Sequence, residues 1–149
     1  KWTTYRAMAE DVLGKCMADA LLPHRPGGAT LKQLLVGANA GASSRHPLSQ
    51  ASDLSVYGTE AAVVEALPGS GRQLGGGLTE AMVRFAVRHE YARTVEDVLA
   101  RRVRLLFLDA RLAGSLAAAV GAIVAEETGR DPEIAAFEAL AAKYLHLPA

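Results

Sequence analysis

From Thr79 onward the apolar residues recur at three- and four-residue steps, and nowhere do apolar and polar side chains alternate for long enough to build a sheet. That pattern predicts an all-α fold: a single helical bundle domain with a Pro/Gly-rich connector after the first helix. Met82, Phe85, Ala86 and His89 share one helical face behind Thr79. Thr94-Val95-Glu96-Asp97 has the Ser/Thr-x-x-acid spacing of a capping box, Asp being a short version of Glu, and opens a second helix fed by Val98 and Leu99. Asp109 can cap a third, on which Leu112, Leu116, Val120, Ile123 and Val124 form a stripe that stops at Gly129. Asp131-Pro132 then reads as N-cap and first helical residue of a last helix, with Ile134, Phe137, Ala141 and Tyr144 on its buried face.

Ahead of this helical region, Tyr5, Met8, Val12, Leu13, Cys16, Met17 and Ala20 keep the same spacing, so Thr3 to Leu22 is expected to be an amphipathic helix capped by Thr3 or Thr4 and ended by Pro23 and Pro26-Gly27-Gly28. The organisation expected is therefore residues 1–22, a connector over 23–77, and a helical domain over 78–149. The connector is rich in Pro, Gly and Ser, with apolar Thr30 to Val36 and a short helical piece from Thr59 to Leu67. Its glycine cluster, Gly69 to Gly77, invites a phosphate-loop reading. It lacks the Gly-Lys-Ser/Thr ending and a preceding strand, so a plain loop is expected.

Charge excludes little but directs attention. Sixteen basic and sixteen acidic residues cancel, so a nucleic-acid or anionic-lipid partner would need a local patch. The lone Cys16 suits a reducing compartment and reads as a buried, inert thiol. No apolar run reaches the length of a membrane span, the Leu112 to Ala125 stretch being broken by Gly114, Ser115 and Gly121. With no initiator Met, the chain is expected to be a piece of a longer protein.

Few residues invite a chemical role by themselves. His89-Glu90-Tyr91-Ala92-Arg93 begins like a zinc-protease helix, but Arg93 stands where the second histidine is needed, so no metal site is expected. His24, His46 and His146 read as surface histidines. Arg84, Arg88, Arg93, Arg101, Arg102, Arg104 and Arg111 could grip DNA, yet five interleaved carboxylates favour intramolecular ion pairs over a phosphate-binding face. Arg101 and Arg102, beside apolar Val103, Leu105, Leu106 and Phe107, have two readings: structural anchoring, or contact with a neighbouring domain of the same polypeptide.

Two stretches read together resemble a known family. Lys1-Trp2-Thr3-Thr4-Tyr5-Arg6 is similar to the Gly-Gly-Lys-x-Thr-Thr-Tyr-Arg segment that closes the FAD domain of the aerobic, flavin-linked glycerol-3-phosphate dehydrogenases. Residues Ala86 to Arg102 resemble the signature of that family's C-terminal helical domain. The chain departs from the pattern in lacking the two glycines before Lys1 and in carrying Val103 where a threonine commonly follows the arginine pair.

The resemblance implies an enzyme that oxidises sn-glycerol 3-phosphate to dihydroxyacetone phosphate, passes hydride to FAD and hands electrons to quinone, peripheral on the cytoplasmic side of the inner membrane. It implies that Lys1, Trp2, Thr3 and Thr4 contact the cofactor and that Lys1 also binds substrate. FAD would be held mainly by a nucleotide-binding domain outside this chain, leaving these residues an inactive accessory domain on the FAD and substrate domains of the same polypeptide. A homodimer stays open, and no nucleic-acid partner is expected. The alternatives are a stand-alone helical module that binds protein or nucleic acid, and the same domain of an oxygen-reducing glycerophosphate oxidase.

Overall fold

The computed structural model describes residues 3–38 and 53–145. The chain divides into two compact units, Lys1–Leu35 and Val36–Ala149. The first is built on helix α1, Tyr5–Ala18, with a 3₁₀ turn at Ala29–Lys32. Arg6 and Glu10 pair at 3.0 Å along α1, and both reach the Thr30 hydroxyl, which ties the turn to the helix. The helix is shorter than its periodicity predicts because Ala20 takes a left-handed φ of 57° and the chain turns before Pro23. Tyr5, Met8, Val12 and Leu13 are exposed, and Cys16, expected to be buried, is only half-buried.

The second unit holds the core. It contains a 3₁₀ segment at Leu54–Glu60 running into α2 (Ala61–Glu65), a small antiparallel pair β1 (Gln73–Gly75) and β2 (Leu78–Thr79), and then α3 (Glu80–His89). A π-helical segment at Asp97–Arg102, a short α4 (Leu105–Leu108), the long α5 (Ala110–Thr128) and α6 (Ile134–Tyr144) complete it. The expectation of an all-α fold holds apart from the β pair, which corrects the plain-loop reading of Gly69 to Gly77. Two or three residues per strand leave no periodicity to read. The turn depends on Gly76, whose φ is 56° and where a Cβ would stand 2.9 Å from Leu105 Cδ1.

Capping explains most of the boundaries. Thr79 accepts from Met82 N at 3.2 Å and starts α3, and Asp109 accepts from Leu112 N at 2.9 Å and starts α5. Gly129, at φ 65°, ends α5 in the left-handed stop position. The last helix starts later than Asp131-Pro132 predicts: Asp131 Oδ1 accepts from Glu133 N at 2.9 Å in a local turn, and Glu133, not Asp131, is the N-cap.

The buried faces meet where α5 crosses α3 and α6. Leu116, Val120, Ile123 and Val124 of α5 are buried with Met82 and Phe85 of α3 and with Phe137 and Ala141 of α6. Each such large side chain removed from water contributes roughly 1.5–3 kcal/mol before the entropy of ordering is subtracted. Two expected core residues lie outside this core. His89 is exposed with its ring stacked on Phe85 at 4.7 Å, and Tyr144 is half-exposed against the edge of Phe107 at 5.5 Å. Among the described residues no helix is long and apolar enough to cross a membrane.

Candidate functional site

Lys1 and Trp2, half of the expected cofactor contact, lie outside the described residues, as do His46 and His146. Thr3 and Thr4 are exposed, and Thr4 is the N-cap of α1. Its hydroxyl makes no capping bond and lies 3.7 Å from Met8 Sδ, and the first turn carries no carboxylate. Among the described residues no side chain caps the first-turn N–H groups, and the positive end of the helix dipole there favours an acceptor. That donor set fits an electron-rich flavin edge and would be poorly suited to a cation.

The segment resembling the family signature folds into one interlocked unit. α3 ends with Glu90 N and Ala92 N both donating to Ala86 O, at 3.2 and 2.9 Å, which places Tyr91 at a left-handed φ of 64°. Glycine is usual there. Arg93 Nη1 donates to the carbonyls of Val87 and Ala92, and its guanidinium lies 4.5 Å from the Tyr91 ring centroid. The expected capping box forms: Asp97 N donates to Thr94 Oγ1 at 3.2 Å and Asp97 Oδ2 accepts from Thr94 N at 3.1 Å, with Arg93 N adding a third bond at 2.9 Å. The helix that this box opens is π-helical rather than α-helical, and Arg102 spans it by donating to the carbonyls of Asp97 and Glu90.

Arginine and carboxylate pair throughout this unit. Arg101 binds Glu96 at 2.6 Å and Asp97 at 2.8 Å, and Arg102 Nε lies 3.5 Å from the Glu90 carboxylate. Burial raises the Glu90 carboxyl, and Arg102 works against that rise. Arg84, with only 9% of its side chain exposed, joins Glu80 of α3 to Glu126 and Glu127 of α5, and Arg88 binds Glu127 at 2.6 Å. Bonds from Arg88, opposed by burial and assisted by Arg84, hold Glu127 down to about 2, so it stays ionised. Burial, with the Glu90 charge, pushes the Tyr57 hydroxyl up, and its ring meets Phe85 edge-on at 5.2 Å.

Sequence reasoning pointed to Glu80, Glu90, Glu96 and Asp97 among the interleaved carboxylates, and missed Glu126 and Glu127, which lie more than forty residues from Arg84. It passed over Arg130, which comes directly after the Gly129 stop. Among the described residues no group of histidine, cysteine and carboxylate side chains is placed to hold a metal ion.

Residues 28–135 match the family model of the C-terminal domain of alpha-glycerophosphate oxidase. This chain belongs to that family. It is also 33% identical to a mitochondrial glycerol-3-phosphate dehydrogenase of Schizosaccharomyces pombe over 88% of its own length and 26% of the relative's. A mitochondrial glycerol-3-phosphate dehydrogenase of Arabidopsis thaliana is 32% identical over 85% of the chain and 25% of the relative. The chain thus spans about a quarter of the length of these relatives. No solved structure matches it. The family match runs through the capping box, the π-helical segment and the Arg84 network, all of which lie within residues 28–135.

Proposed function

We propose that these residues are the helical accessory domain of an FAD-dependent glycerol-3-phosphate dehydrogenase that passes electrons to quinone, and that they are catalytically inactive alone. The observation that carries this reading is the fate of the arginines in and just before the signature segment. Arg84, Arg88, Arg93, Arg101 and Arg102 direct hydrogen bonds to neighbouring carboxylates and carbonyls of their own unit, which is scaffold chemistry. FAD supplies the hydride acceptor when bound. This chain offers it the N–H donors that open α1, with Lys1, Trp2, Thr3 and Thr4 at that end. The ammonium of Lys1 offsets the phosphate or developing alkoxide charge of the substrate.

The same arginine pairing argues against a nucleic-acid module, because guanidinia already matched to carboxylates release few counterions from DNA. An oxygen-reducing oxidase has one observation in its favour, the oxidase domain whose model matches residues 28–135. Peripheral attachment at an inner membrane suits both a cytoplasm-facing enzyme and the mitochondrial relatives. The FAD and substrate domains of the same polypeptide are the partners expected, and a homodimer is compatible.

The test is oxidation of glycerol 3-phosphate with added FAD, monitored with an artificial dye and with oxygen, on the full-length protein and on these 149 residues. Dye reduction by the full-length protein only is the expected result. Rapid oxygen consumption would select the oxidase, and a full-length protein that neither holds FAD nor oxidises this substrate would overturn the reading.

A further inference from the structure

Three arginines from different places in the fold converge on one polar cavity. Arg88 is in the last turn of α3, Arg93 in the turn beyond it, and Arg130 one residue past the Gly129 stop of α5. With Val87, Glu127 and Thr128 they line a cavity of about 300 Å³.

The plain explanation is that cations near two helix C-termini complement the helix dipoles. It covers only part of the donor inventory. Arg88 uses Nε and Nη2 on Glu127, and Arg93 uses Nη1 on two carbonyls. Arg88 Nη1, Arg93 Nε and Nη2, and the whole Arg130 guanidinium have no hydrogen-bond partner among the described residues. Glu127, the one carboxylate in the lining, is already shared between Arg84 and Arg88. A second feature points the same way. Tyr91 holds a left-handed backbone that a non-glycine residue adopts at a cost, and its exposed ring lies 4.5 Å from the guanidinium of Arg93, one of the cavity's lining residues.

We propose that this cavity binds the phosphate group of a small ester, with Arg88, Arg93 and Arg130 as its ligands. Guanidinium forks match phosphate oxygens, and a dianion balances the excess charge of three arginines over one glutamate, which a single carboxylate would leave half unmatched. The cavity has room for a phosphate with a short carbon tail. The proposal stands independently of the dehydrogenase reading, because it rests on these arginines alone.

Calorimetric titration of the full-length protein with inorganic phosphate and with glycerol 3-phosphate tests it, on wild type, Arg130→Gln and Arg130→Lys. Arg130 is exposed, and its side chain makes no bond to a described residue, so the fold should tolerate both changes. Loss of one charge-assisted contact should weaken phosphate binding at this cavity about tenfold or more in Arg130→Gln, with partial recovery in Arg130→Lys. The KM for glycerol 3-phosphate should not change. Phosphatidylcholine vesicles with and without phosphatidic acid separate a lipid headgroup from a soluble ester, and Arg130-dependent binding of either source supports the phosphate site. Equal phosphate binding by wild type and Arg130→Gln, or no binding by either, overturns the proposal. A rise in KM alongside the loss overturns it as a separate site.

Discussion

Replacing Asp97 by alanine tests whether the turn between α3 and the π-helical segment is held by side-chain caps. Asp97 Oδ2 accepts from the backbone N–H groups of Arg93 at 2.9 Å and Thr94 at 3.1 Å, and Oδ1 accepts from Arg101 at 2.8 Å. Each lost capping bond costs about 1 kcal/mol. The Arg101 pair adds only a few tenths, because that arginine side chain is 60% exposed and screened by solvent. The expected loss is about 2 kcal/mol, read as a lower urea midpoint with an unchanged slope.

The pH dependence has a definite sign. Burial alone would raise the Asp97 carboxyl, but the Arg93 and Thr94 N–H groups, the Thr94 hydroxyl and Arg101 together hold it below its ordinary value. A carboxyl lowered by folding contributes stability above its unfolded pKa and loses it as pH falls through the folded one. The gap between wild type and Asp97→Ala should therefore be full at neutral pH and shrink below about pH 4. Asp97→Asn keeps one acceptor oxygen and should recover about half of the loss. An Asp97→Ala cost below about 0.5 kcal/mol, or a gap that ignores pH, would refute the capping argument.

Three further outcomes rest on single residues. Tyr91→Gly relieves the left-handed backbone but gives up the Arg93 stacking, and a net gain of about 0.5 kcal/mol in the urea midpoint is expected; a loss would show that the ring matters more than the strain. Phe137 of α6, 1% exposed, should cost about 3–5 kcal/mol when truncated to alanine, and a cost near 1 in thermal unfolding would mean the neighbouring helices close over the gap. Glu127, held at about 2, adds stability above the ordinary glutamate range that disappears as pH falls toward that value, so Glu127→Gln should flatten the acid limb of a Tm-against-pH series.

The parts of this fold that were readable in advance are those decided within four residues. Thr79, Thr94 and Asp109 each satisfy an N–H three positions on, and the rule that identifies them needs no knowledge of tertiary contacts. Asp131 shows the limit of that rule. An aspartate before proline serves equally well in a local turn, and the helix began two residues later than its cap pattern suggested. The β pair was invisible because Gly75 and Gly76 are chosen by the leucines of α4 and α5 that crowd them, not by their neighbours in sequence. The arginine cluster was visible together with its near partners Glu80, Glu90, Glu96 and Asp97, but Glu126 and Glu127, which answer Arg84 and Arg88, come from another helix.

That distance between arginine and partner also bears on function. A guanidinium donor matched inside the domain is no longer open to a ligand, and Arg84, Arg101 and Arg102 spend most of theirs holding α3, the π-helical segment and α5 in register. Any ligand of this domain must then be met by the donors left over. In the first unit these are the N–H donors at the start of α1, which no described side chain caps. In the second they are the remaining donors of Arg88, Arg93 and Arg130 around one cavity. Both sets are donors left over by their own unit, so both select for electron-rich ligands, and the guanidinium forks of the second match phosphate oxygens in particular.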